Sequence, residues 1–150
     1  MPQSFCQIYA HIIFSTKDHK RWLDEGIRNR VHAYLATLAR DYGCPYVHVG
    51  GPDNHIHMLV DIGKKIDPIS LIGKIKQDSS RFVKDLHSKY ADFYWQGGYG
   101  AFSVGPTRVK DVEAYIDNQV EHHKSQTFKD EFRAFLDKYG IDYDDRYVWD

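Results

Sequence analysis

Cysteine is nearly absent from this chain. Cys6 and Cys44 are the only two among 150 residues, too few for a disulfide framework, so a reducing compartment is the expectation. Cys44, just before Pro45, reads as a small core filler. No apolar run approaches the roughly 20 residues that a membrane-spanning helix needs. Met1-Pro2-Gln3-Ser4 lacks the basic and apolar regions of a signal peptide, and a cytoplasmic protein is expected. An excess of one charge is also missing: 20 Lys and Arg face 21 Asp and Glu, a net charge of -1. Nothing global therefore announces a nucleic-acid partner. Internal repeats, low-complexity segments and domain-scale linkers are lacking too, so residues 1–150 read as one domain, large enough for a proper core.

What is present is unevenly placed. Residues 64–89 hold seven basic side chains against Asp67, Asp78 and Asp85. That basic stretch either tracks a phosphate backbone or is a solvated helix face. Lys74, Lys76, Arg81 and Lys84 are its candidates for DNA contact. Residues 126–150 form an acidic C-terminal extension, with seven acids against four bases. Trp95 and Tyr99 could stack unpaired bases, although packing is the better reading for Trp95.

The order of elements follows from periodicity and punctuation. Phe5 to Ser15 alternates with both faces largely apolar, as a central strand does. A helix is expected from an Asp24 cap to about Tyr42, stopped by Gly43. Tyr46 to Gly50 reads as a strand, Gly50 to Asn54 as a turn, and 55–61 as the hairpin partner. Asp67-Pro68 starts a second helix, with Ile69, Ile72, Ile75, Ser79, Phe82 and Leu86 as its expected buried stripe. Tyr94 to Val104 holds two short strands or a bulged one. Thr107 is expected to cap a helix over about Arg108 to Lys124, with Val109, Val112, Ile116, Val120 and His123 facing inward. A last short helix spans Phe128 to Tyr139. The pattern β-α-β-β-α-β plus helix predicts an α+β fold: a ferredoxin-like antiparallel sheet with both early helices on one face. The second face stays open for a late helix, a ligand or a partner chain.

Two places on that frame carry chemistry. In Asn54-His55-Ile56-His57-Met58-Leu59-Val60-Asp61, read as a strand, His55 and His57 share a face, roughly 7 Å apart at Cα. They could hold one metal ion, or be inert, hydrogen-bonded strand histidines. His11 falls on the same face, either behind them or simply buried. On the late helix, Tyr115 and Gln119 are four residues apart and so lie one turn from each other. If that helix packs on the open face, Gln119 can become a third ligand beside Tyr115. The plainer alternatives are a packed tyrosine and a solvated glutamine. His123, on the inward stripe, reads as packing rather than as a metal ligand. Neutral ligands leave the full charge on a dication, which then polarises a phosphate, and mixed N and O donors suit Mg²⁺ or Mn²⁺, with Zn²⁺ also open. A phenol, with pKa near 10, is a workable nucleophile and leaving group beside a cation.

The chain resembles the single-tyrosine HUH transposases of small bacterial insertion sequences, where HUH denotes His-hydrophobic-His. The similarity runs over nearly the whole chain: "HIIFSTKDHKR", "GPDNHIHMLVDI", "LIGKIKQDSSRFV", "WQGGYGAFSVG" and "VEAYIDNQVEHHKSQTFKDEF". The H-I-H and Y-I-D-N-Q pieces together are its specific part. By position, the resemblance implies that His55, His57 and Gln119 are metal ligands and that Tyr115 is the nucleophile. It implies cleavage and rejoining of single-stranded DNA at element ends through a 5′-phosphotyrosine, with hairpin recognition. It also implies a homodimer whose active sites can be shared between subunits, in a bacterial cytoplasm and on the nucleoid when bound to DNA. Rival readings are a host-retained HUH nuclease acting on repeat hairpins, a non-catalytic ferredoxin-like nucleic-acid-binding module and a dimeric ferredoxin-like regulator of small molecules.

Overall fold

A computed structural model describes residues 2–150. Its order is β1 (Tyr9–Ser15), α1 (Arg28–Asp41), β2 (Tyr46–Gly50), β3 (His55–Asp61), α2 (Pro68–Leu86), β4 (Gly100–Val104), α3 (Val109–Asp117), α4 (Gln119–His122) and α5 (Phe128–Lys138). The four strands form one antiparallel sheet in the order β2-β3-β1-β4. This is the expected ferredoxin-like arrangement. Among the described residues, no helix is long and apolar enough to cross a membrane.

Alternation on the two central strands creates two cores. Ala10, Ile12 and Phe14 of β1 and Ile56, Met58 and Val60 of β3 face α1 and α2, where Val31, Leu35, Ile72, Ile75 and Val83 complete the larger core. The opposite face carries Ile13 and Phe102, covered by Phe128, Phe132 and Leu136 of α5. β1 is therefore buried on both sides, which is why it reads apolar on both faces. Register sets Ile13 opposite His57 and Ser15 opposite His55, so the two histidines project from the second face, toward α5.

Several boundaries differ from the sequence expectations. β1 begins at Tyr9, not Phe5, because Asp61 of β3 and Val104 of β4 both pair with Tyr9 and neither strand continues; Phe5 and Ile8 are exposed. Asp24 does not cap α1. Its carboxylate accepts from the Gly26 amide and the Tyr90 hydroxyl in a turn, and the helix proper starts at Arg28. The Asp67 cap is present, accepting from the Ser70 amide with Pro68 behind it. The buried arc of α2 is Leu71, Ile72, Ile75, Ser79 and Val83, while Ile69, in the first turn, faces solvent. Between Tyr94 and Val104 there is one strand, β4, preceded by a single Thr16–Trp95 bridge. The helix expected over 108–124 is broken. Thr107 lies in a 3-10 turn without a side-chain cap, and Asn118 leaves helical geometry at φ -97, ψ 15. That break rotates α4, so Val120 is exposed while Gln119 is buried.

Candidate active site

β3 supplies the first two site residues. His55 and His57 are both fully buried, and each is oriented from behind. Asn54 Oδ1 lies 2.7 Å from His55 Nδ1; an amide oxygen only accepts, so Nδ1 carries the proton and Nε2 presents a lone pair inward. His57 Nδ1 is 2.8 Å from His11 Nε2. Burial, then the neighbouring His57, lowers His11 to about 3, so His11 is neutral and a single proton bridges its Nε2 and the Nδ1 of His57. Nε2 of His57 then faces inward as well. Backing partners of this kind accompany metal-binding histidines. Burial also lowers His55 to about 4, against the opposing pull of Glu131.

α3 delivers the tyrosine. Ile116, buried, rests on Gly50 at the end of β2: a Cβ there would meet Ile116 Cγ2 at 2.6 Å and the Ile116 carbonyl at 2.9 Å. This close approach places the Tyr115 ring 5.8 Å from the His57 ring, centre to centre. One turn on, Gln119 Oε1 lies 3.3 Å from His55 Nε2. All four sequence-predicted site residues therefore converge within one chain.

The centre of the cluster is a residue of the acidic extension, Glu131 on α5, only 2% exposed. Its Oε2 accepts from the Tyr115 hydroxyl and, at 3.1 Å, from the Gln119 amide. Its Oε1 lies 3.2 Å from His55 Nε2, 3.1 Å from His57 Nε2 and 3.1 Å from His123 Nε2. Burial and the Glu131 charge together push the Tyr115 phenol upward. His123 Nε2 is buried, yet it makes no hydrogen bond: it is near Glu131 Oε1 but off the hydrogen-bond direction. Inward-facing imidazole nitrogens, an orphaned buried nitrogen and a carboxylate at one point form a donor set that fits a divalent metal ion.

Sequence reasoning treated Glu131 only as part of an acidic tail and His123 only as packing; His55, His57, His123 and Glu131 in fact form one potential metal-holding group. A signal for Glu131 existed. Phe128, Phe132 and Leu136 form a helical stripe, and a glutamate at position 131 falls within it. The basic candidates are not brought to this site, because α2 covers the opposite face of the sheet. Lys74 sits 5.1 Å over the Tyr42 ring and Lys84 3.9 Å over the Tyr94 ring; Arg81 is exposed. Lys76 does not offer a free ammonium: its Nζ donates to the carbonyls of Gln96, Gly97 and Gly98. Trp95 is buried and donates to Ser79 Oγ, while Tyr99 is exposed.

Comparisons with known proteins give one direction. The transposases for insertion sequence element IS200 of Salmonella typhimurium LT2 and Salmonella typhi are each 29% identical over 119 residues, 76% of this chain and 78% of theirs. Among solved structures, a candidate transposase from Deinococcus radiodurans R1 superposes with a TM-score of 0.61 at 17% identity, over 79% of this chain and 98% of that one. A REP-associated tyrosine transposase bound to a REP hairpin superposes at 0.55 and 13% identity, over 81% of this chain and 73% of that one; at such identities these two establish the fold. The profile described as "Transposase IS200 like" matches residues 4–119, and the chain belongs to that family, the IS200-like transposases.

Proposed function

We propose that this protein cuts and rejoins single-stranded DNA through a covalent bond to Tyr115, assisted by a divalent metal ion held by His55, His57 and Gln119. The observation that carries this reading is the shared Glu131 carboxylate. Tyr115 and Gln119 meet one of its oxygens, and the two strand histidines meet the other. A phenol beside the candidate metal donors, in one buried cluster, is what nucleophilic attack on a phosphodiester requires.

When bound, the ion supplies Lewis-acid polarisation of the scissile phosphate. The Tyr115 oxygen attacks phosphorus and its proton passes to Glu131 Oε2, the atom it already contacts. The bond from phosphorus to the 3′-oxygen breaks, and that oxygen leaves as a 3′-hydroxyl on taking up a proton. The product is a 5′-phosphotyrosine. One phosphate ester has been exchanged for another, so the reverse attack by a 3′-hydroxyl rejoins DNA without ATP. His11 and Asn54 contact the two imidazoles from behind, an arrangement that would orient them toward the ion.

Hairpin DNA is the proposed substrate. Family membership supports that assignment, as does the hairpin carried by the similarly folded REP-associated transposase. Because Tyr115 meets the histidines of its own chain, the site needs no helix exchanged with a second subunit, even within a homodimer.

The test is incubation of labelled single-stranded hairpin DNA with the protein and Mn²⁺ or Mg²⁺. A covalent protein–DNA adduct is expected, lost in Tyr115→Phe while DNA binding survives. An adduct that persists in Tyr115→Phe would remove Tyr115 as the nucleophile.

A further inference from the structure

We infer that the ion site is completed by two residues of the C-terminal helices, His123 and Glu131, making its donors three imidazoles and a carboxylate. This rests on the metal-assisted reading above, puts His123 and Glu131 where that reading has Gln119, and carries the site beyond residue 119, where the family match ends.

The first argument is geometric. The donor atoms of His55, His57, His123 and Glu131 lie within 4.8 Å of one another. The carboxylate oxygen is 3.1–3.2 Å from each imidazole nitrogen. A tetrahedral ion with donor bonds of about 2.0–2.1 Å has edges of about 3.4 Å. Three edges of such a tetrahedron are therefore already near their final length.

The second argument is that hydrogen bonding alone does not account for the cluster. A neutral imidazole has one N–H. In His55 that N–H is directed outward, to Asn54 Oδ1; His57 Nδ1 is bridged to His11 Nε2. The inward nitrogen of His55 then presents a lone pair to a carboxylate oxygen, lone pair against lone pair, and the same oxygen lies 3.1 Å from His57 Nε2. His123 Nε2, in a side chain nine-tenths buried, points into the same space with no hydrogen-bond partner. Three protonated imidazoles around one carboxylate would bury a net charge of about +2, whereas a dication shared by the same four donors leaves about +1. A cation at the common centre turns the repulsive contact at His55 into a bond and gives His123 Nε2 a partner.

The donor types then select the ion. Mg²⁺ prefers six oxygens and retains water. A set with three nitrogens and one oxygen suits Co²⁺, Mn²⁺ or Zn²⁺ instead. The carboxylate also lowers the ion's effective charge, and its second oxygen keeps hold of Tyr115 and Gln119.

The experiment is titration of the metal-free full chain with Co²⁺, following visible absorption, whose intensity reports tetrahedral coordination. One equivalent is expected, and excess Mg²⁺ leaves it in place. Glu131→Gln and His123→Gln should each weaken Co²⁺ binding at least on the order of tenfold, the lower bound for outer-shell partners, and reduce the band. Urea transitions establish that each variant is folded; His123→Gln, at the edge of the cluster, serves if Glu131→Gln is not. Unchanged affinity and spectrum in the folded variants, or displacement by Mg²⁺, would overturn the inference and leave the ion on His55, His57 and Gln119. Failure of the unaltered chain to bind Co²⁺, Mn²⁺ or Mg²⁺ at all would overturn the metal-assisted reading too.

Discussion

The Tyr115 hydroxyl donates its proton to Oε2 of Glu131, although the two residues lie on helices separated by the Asn118 break and by α4. That bond joins the family-matched part of the chain to a helix outside it. A tyrosine so placed has a proton acceptor in contact. It also has a neighbouring negative charge that, without a cation, disfavours the phenolate.

Replacing the acceptor should slow the chemistry without abolishing the nucleophile. Glu131→Gln, assayed at saturating Mn²⁺, is expected to reduce the rate of adduct formation on the order of 10²- to 10⁴-fold, the usual worth of a positioned base. The adduct should still form at Tyr115, as peptide mapping of the trapped product would establish. A rate within threefold of the unaltered chain would show that the proton leaves by another route.

Gly50→Ala tests whether the seating of α3 on β2 governs the tyrosine. The added methyl would meet both the side chain and the carbonyl of Ile116 inside contact distance, so α3 must shift. Overpacking of this kind destabilises by about 1–3 kcal/mol. A displacement of about 1 Å at the nucleophile can lose about 10²-fold in rate. We expect adduct formation to fall further than the urea midpoint accounts for, measured where the variant is fully folded. A loss of stability with an unchanged rate would separate Gly50 from the site.

The parts of the fold that sequence made legible are those set by local rules. Strict alternation gave β3 its two faces and put His55 beside His57. Asp67 and Pro68 announced α2 because capping is decided within four residues. The spacing of Tyr115 and Gln119 survived the helix break because Gln119 follows it immediately. What was not legible depends on distant packing. Glu131 enters the site only because Phe128, Phe132 and Leu136 seat α5 on Ile13 and Phe102, and no local pattern states where a short amphipathic helix will dock. His123 turns inward by virtue of the same packing and the Asn118 break. The start of β1 is likewise set by where β3 and β4 end, not by its own alternation.

Lys76 separates a structural role from a DNA-contact role. Its ammonium, half-buried and with burial lowering its pKa to about 8, spans the three carbonyls of residues 96–98. Lys76→Met leaves those acceptors without their shared donor, and a loss of about 2–3 kcal/mol is expected, as for hydrogen bonds to a charged group. Arg81→Ala, at an exposed position of the same helix, should change stability by less than about 0.5 kcal/mol. Urea denaturation of the two variants checks the contrast. Equal and negligible effects would show that the loop holds itself.

Acid sensitivity should be partly traceable to His32 on α1, far in sequence from the candidate metal donors. Its Nε2 is buried without a partner, and burial, then Arg28, lowers its pKa from 6.5 to about 4. The sign follows from proton counting. Between about pH 6.5 and about pH 4 the unfolded chain binds a proton here and the native chain does not, so stability falls as pH is lowered through that window and no further below it. This one group contributes up to about 1.4 kcal/mol per pH unit. Substitution by an apolar residue of similar volume, His32→Leu, removes the titration while filling the space. Urea midpoints of both proteins at about pH 7 and about pH 4.5 should therefore diverge, the variant losing less stability on acidification. Parallel losses would assign the acid sensitivity to other groups and show that His32 is solvated in the native state.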